Sequence, residues 1–176
     1  MNTRTVGIVI VISILAVGII VFLTSSGERS NDNSGVSEIK WHGYEEGVAL
    51  ARQENKKIMV DVYTDWCVWC KKLDKEVYTN STVGQTMAAD FIAVKLNAES
   101  QKAVTVNGAP MSEANLAESM GVTGYPTIVF LDPASKPITK ISGYMEPKEF
   151  TSVLRFISED QYKSKTFEEY RNSKRD

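Results

Sequence analysis

Two cysteines and one histidine are all the Cys and His that the 176 residues offer a zinc ion. A closed zinc site needs four donors, and Cys67, Cys70 and the distant His42 fall short of that, so no metal is expected. Covalent haem attachment needs a histidine directly after the second cysteine, where Lys71 stands. No other cofactor is indicated. A basic excess is missing too: 20 Lys and Arg against 22 Asp and Glu leave a net charge of -2. Such a chain has no broad field to hold a phosphate backbone, so nucleic acid is not expected as a partner. Internal repeats and low-complexity runs are also lacking. What is present, 43% hydrophobic and 24% charged residues, suffices for one globular domain with a real core.

Charge is wholly absent from Val6 to Leu23 ("VGIVIVISILAVGIIVFL"), where Ser13 is the only polar side chain. At about 1.5 Å per residue, such a helix nearly crosses a hydrocarbon core of roughly 30 Å. Residues 6–23 are therefore expected as a transmembrane anchor behind a short cytoplasmic segment, residues 1–5. The rival reading is a signal peptide cleaved near Thr24, Ser25 and Ser26. No cysteine directly follows the apolar run, which excludes a lipid-modified cysteine anchor. Arg4 precedes the span, while Glu28, Arg29 and Asp32 follow it, which favours the N-terminus inside. The expected location is thus the inner membrane, single-pass, with the domain facing the periplasm or extracytoplasmic space. Cleavage would instead release it to the periplasm. In either case disulfides can form and persist.

Residues 24–37 are rich in Ser, Asn, Gly and charge and read as a flexible linker. The domain is expected over 38–160. Trp41, Tyr44, Val48 and Ala51 have helical spacing. "KIMVDVYT" reads as a buried central strand, and Cys67 to about Tyr78 as a helix. A second helical piece spans Ser81 to Ala89, and "FIAVKLNA" is another buried strand. Glu99 to Pro110 shows no period. Ser112 to Met120 forms a short helix that Gly121 ends. "GYPTIVFLD" and "PITKISGY" suit an antiparallel pair joined through Asp132, Pro133 and Lys136. Pro147 opens a helix with Phe150, Val153, Leu154 and Ile157 on one face. Residues 161–176 read as a solvated or loosely docked charged tail. This order implies an α/β fold, a mixed sheet flanked by helices.

The chemistry lies in "TDWCVWCKK", which holds both cysteines. A bracing disulfide over so short a loop would remove little unfolded-chain entropy. A redox pair is favoured by position. With a strand ending at Tyr63 and a helix starting near Cys67, unpaired N–H groups and the helix dipole stabilise a Cys67 thiolate. Cys67 is then the exposed nucleophile, and Cys70, one turn on, resolves the mixed disulfide. Asp61 interrupts its apolar strand and suits a proton acceptor for Cys70, or else a hydrogen-bonded structural carboxylate. Asp74 shares a helical stripe with both cysteines and would tune their pKa, or else is an exposed helical acid. Pro126, after Tyr125, is a trans proline on frequency alone. A cis bond there would free the Tyr125 backbone to pair with an extended substrate.

Together "VDVYTDWCVWCKKLDKEVY" and "GYPT" resemble the thioredoxin superfamily, in particular the thioredoxin-like domains of extracytoplasmic thiol:disulfide interchange proteins of the DsbD kind. The resemblance covers roughly Ile39 to Ile157. It implies a thioredoxin fold, Cys67 as attacking and Cys70 as resolving thiol, and a redox-active disulfide between them. It also implies Asp61 as the buried acid, Asp74 as a second acid, and a cis Pro126. The expected function is reduction of protein disulfides, fed by a membrane electron donor. A disulfide oxidase or isomerase, or a non-catalytic binding module, are the alternatives. Trp66 and Trp69 read as a substrate platform beside Tyr125 and Pro126, or as packing over the dithiol. His42 is expected at the surface without a role, and Asn80 as a helix cap or a glycosylation acceptor.

Overall fold

The computed structural model describes residues 38–174. The expected anchor, linker and signal-peptide alternative at residues 1–37 lie outside the described residues. Among the described residues no helix is long and apolar enough to cross a membrane.

β2 (Lys57–Tyr63) is the centre of the sheet because its side chains can be buried on both faces, and all but its two end residues are buried. It pairs in parallel with β3 (Phe91–Asn97), which in turn carries the two-residue edge strand β1 (Trp41–His42). On its other side it pairs antiparallel with β6 (Thr127–Leu131), and β6 with β7 (Pro137–Ser142). The order is β1-β3-β2-β6-β7, the expected mixed sheet.

The two-residue period of the strands sorts the core into two layers. Ile58, Val60 and Val62, with Ile92, Val94 and Leu96, face α1 (Tyr44–Glu54) and α4 (Glu113–Ser119). Met59 with Phe91 and Ala93 faces α2 (Val68–Glu76), α3 (Ser81–Asp90) and α5 (Pro147–Ser158). By the same period Asp61 and Lys95 fall on the α2 side. Gly47 of α1 sits so close to the sheet that a Cβ there would lie 2.3 Å from Val94 Cγ2. Gly121, at φ +68°, ends α4 as expected.

Several expectations need correction. Trp41 is on the edge strand rather than the first helix, because pairing with Ala93 satisfies its backbone. His42 is buried, with Nδ1 2.8 Å from Glu46 Oε1 one turn along α1. The aperiodic segment after Glu99 holds a hairpin, β4 (Ala103–Val106) and β5 (Ala109–Ser112). Asn107 and Gly108, both at positive φ, make its two-residue turn, and Glu45 of α1 accepts from the Thr105 amide. Asn80 is a helix cap: its side chain accepts from the Thr82 and Val83 amides.

The segment expected as a loosely docked tail instead folds back as a 3-10 turn and α6 (Phe167–Ser173), opened by a Thr166–Glu169 capping box. Tyr170 is buried in the α5 layer and stacks at 5.4 Å on Phe156, which also meets Phe167 at 5.5 Å. Burial of those rings outweighs the charge of the surrounding residues. Replacing Tyr170 by Ala should therefore cost about 3 kcal/mol of unfolding free energy in a urea titration. A loss under about 0.5 kcal/mol would return this segment to the solvent.

Candidate redox site

The chain leaves β2 at Tyr63 and turns into α2 with Cys67 as the helix N-cap. Cys67 Sγ accepts from the Cys70 amide at 3.0 Å, so the sulfur occupies the place a Ser or Asp oxygen takes in an ordinary cap. This is the helix-terminal setting that stabilises a thiolate. Cys67 and Cys70 are joined as a disulfide. Cys67 is only 4% exposed, against its expected exposure, since its sulfur is turned back onto the first turn. Its neighbours are what protrude: Trp66 is 63% exposed and Trp69 55%, so neither packs over the core.

Each tryptophan is held from outside the motif. Trp66 donates its indole N–H to Glu99 Oε1 at 2.8 Å and meets Tyr125 edge-on at 5.9 Å. Trp69 lies 5.7 Å from the Tyr144 ring, with the Lys72 ammonium over both rings. Tyr144 donates to Glu76 Oε2 at 2.9 Å, and Glu76 also pairs with Lys72. Two aromatic pairs thus flank the dithiol. The Tyr125–Pro126 bond is cis. Because Thr127 pairs with Val62, this bond lies at the same end of the sheet as Tyr63 and the entry to α2.

On the α2 side of the sheet, the register of β2 with β3 sets Asp61 beside Lys95. The Lys95 ammonium donates to Asp61 Oδ2 and also to Asp74 Oδ1 on α2. The rings of Trp41, Tyr63 and Tyr78 surround the same ammonium at 4.6, 5.2 and 5.2 Å. Such faces attract a cation that burial would otherwise penalise. Burial pushes the Asp61 carboxyl above the usual carboxylate range, and the Lys95 charge offsets part of that. For Lys95, burial works against the charge, but the two carboxylates outweigh it and raise its pKa. Asp74 is half exposed and shares the Lys95 ammonium with Asp61.

Lys95 is the functional residue that sequence reading missed. Its signal was available: one lysine interrupts the apolar run of β3 as Asp61 interrupts that of β2. Tyr144 and Glu99 carry no such mark. A concavity of about 1310 Å³ lies elsewhere, against α5 and α6 with Glu149, Arg155 and Arg171 on its walls. It has no share in the dithiol site.

A family model described as a thioredoxin-like domain matches residues 44–158. Over 109 residues the chain is 35% identical to the thiol:disulfide interchange protein DsbD of Citrobacter koseri, covering 61% of this chain and 18% of that protein. The chain thus spans less than a fifth of the length of that curated relative. Among solved structures it resembles a thioredoxin from Thermus thermophilus, 25% identical with a TM-score of 0.56, covering 68% of this chain and 87% of that one. It also shares the fold of the DsbH oxidoreductase, 20% identical with a TM-score of 0.58 over 71% of this chain and 88% of the other.

The raised Asp61 pKa fixes the sign of a stability effect. Its contribution is fully present below the unfolded pKa and is lost as pH rises through the folded value. Lys95 limits that loss. Lys95→Met should therefore cost about 3 kcal/mol at pH 8, where Asp61 is left charged and unpaired, and distinctly less at pH 4. Urea titrations of the oxidised protein at both pH values check this, and an equal cost at both would contradict it.

Proposed function

Because the chain belongs to the thioredoxin-like family and is a thiol:disulfide oxidoreductase, we propose that it works as a membrane-tethered reductant of protein disulfides. The observation that carries the direction is the pair of carboxylates joined through Lys95, one of them, Asp74, a turn beyond Cys70 on α2. Negative charge there opposes thiolate formation, which makes the dithiol a better donor and its disulfide a weaker oxidant.

In the forward reaction the Cys67 thiolate attacks one sulfur of a substrate disulfide. The substrate S–S bond breaks, and the departing sulfur leaves as a thiolate that takes a proton from water. Asp61 accepts the Cys70 proton, and the Cys70 thiolate then attacks Cys67 Sγ. The mixed disulfide breaks, the second substrate sulfur leaves as a thiolate that takes up a proton from Asp61 or water, and the two electrons given up leave Cys67 and Cys70 joined. A dithiol donor must return those electrons, and a membrane-embedded donor suits a domain tethered through residues 6–23. Trp66, Trp69, Tyr125 and Pro126 form the substrate-binding rim. Exposed aromatic rings offer contact area at low entropic cost to an extended segment beside its disulfide.

Equilibration of the full chain against glutathione and dithiothreitol buffers measures the potential of the pair. A value near or below about -230 mV is expected, and one near -120 mV would make the protein an oxidase. Cys67→Ser should abolish turnover of a protein disulfide, whereas Cys70→Ser should accumulate the mixed disulfide, visible on a non-reducing gel. Partner function unchanged in Cys67→Ser would instead support a non-catalytic module. The tether is checked by fractionation: the full-length chain should sediment with inner membranes, and a shortened soluble form would indicate cleavage.

A further inference from the structure

Asp61 Oδ1 and the Tyr78 hydroxyl are both buried and make no hydrogen bond of ordinary geometry among the described residues, yet they lie near enough for the hydroxyl to pull the Asp61 pKa down. They belong to neighbouring groups. Tyr78 follows α2, lies in the same core layer as Met59, and presents its ring to the Lys95 ammonium that holds Asp61 Oδ2. Its ring is fixed by edge-on contacts to Trp41 at 4.9 Å and Phe150 at 5.9 Å, so the hydroxyl has little freedom to seek water. Leaving a donor and an acceptor both buried and unpaired is unfavourable, and joining them removes that cost.

We propose that Tyr78 is a positioning residue for the proton acceptor: its hydroxyl donates to Asp61 Oδ1, directly after a small side-chain rotation or through one bridging water. This rests on the role given to Asp61 above. A carboxylate oxygen has two lone pairs, so Oδ1 can accept a hydrogen bond from the Tyr78 hydroxyl and still receive the proton from Cys70. With Lys95 on one oxygen and Tyr78 on the other, the carboxylate is held in a single orientation. Donation to the charged form favours it and so counters the upward push of burial. The titratable groups facing Asp61 are Lys95 from β3, Asp74 from α2, Tyr78 beyond α2 and, more distantly, Tyr63 of β2. Tyr78 is the neutral donor among them that burial keeps protonated.

Tyr78→Phe removes the hydroxyl and keeps the ring contacts. The readout is the 13C carboxyl resonance of Asp61 in the oxidised full chain in detergent, assigned by its loss in Asp61→Asn. The expected result is a titration midpoint about half a pH unit or more higher in Tyr78→Phe than in the parent chain. The pH profile of mixed-disulfide resolution should move upward by the same amount, and Tyr78→Phe should leave that profile unmoved in an Asp61→Asn background. An unchanged or lowered midpoint would overturn the proposal, as would a profile shift that persists without Asp61. The resonance is read on the resting disulfide with no substrate present. A potential in the oxidase range would therefore sink the reductase reading and leave this one standing.

Discussion

One ammonium held between two carboxylates is the contact on which the site is built. Lys95 belongs to β3, Asp61 to β2 and Asp74 to α2, so a single side chain ties the two central strands to the helix that carries the dithiol. The tie depends on register. A slip of β3 by one residue would turn Lys95 to the opposite face, beside Val60 and Val62 of β2, and leave Asp61 charged in an apolar layer. Sheet pairing and site chemistry are therefore one constraint, and the aromatic rings around Lys95 lower the cost of meeting it.

The rim of the site follows a different logic. Core side chains fix the dithiol from below, while polar contacts fix its aromatic flanks from the side. Glu99 holds Trp66 from the connection that leads into the β4–β5 hairpin, and Glu76 with Lys72 holds Tyr144 against Trp69. Exposed indoles would otherwise sample many rotamers. Tying them down in advance reduces the ordering cost of binding a partner segment.

Much of this was legible in the sequence, since the strongest signals are periodic or chemical. The apolar runs of β2, β3 and β6 announced buried strands, and the spacing of Phe150, Val153, Leu154 and Ile157 announced α5. Cys67 and Cys70 were found from their spacing, while the cis form of Pro126 came from family resemblance. What escaped depends on partners distant in the chain. Lys95 gains meaning only when the register sets it opposite Asp61. The hairpin carries an Asn-Gly turn but strands too short and too exposed for a clear period. His42 is hidden by strand pairing next to α1, and α6 is so charged that composition alone argues for solvent. Tyr170 and Phe167 decide its fate by where they land.

The Lys95 cluster also bears on how the site handles charge over time. One cation against two ionised carboxylates leaves a single negative charge on the cluster, which in the proposed reaction faces the reduced Cys70 thiol. In the proposed reaction, transfer of the proton to Asp61 makes the cluster neutral and leaves the charge on the thiolate. The pocket as a whole is therefore isoelectric through the step: charge is relocated inside it rather than created. An interior that cannot reorient like water does best with such a transfer, because no new field has to be solvated.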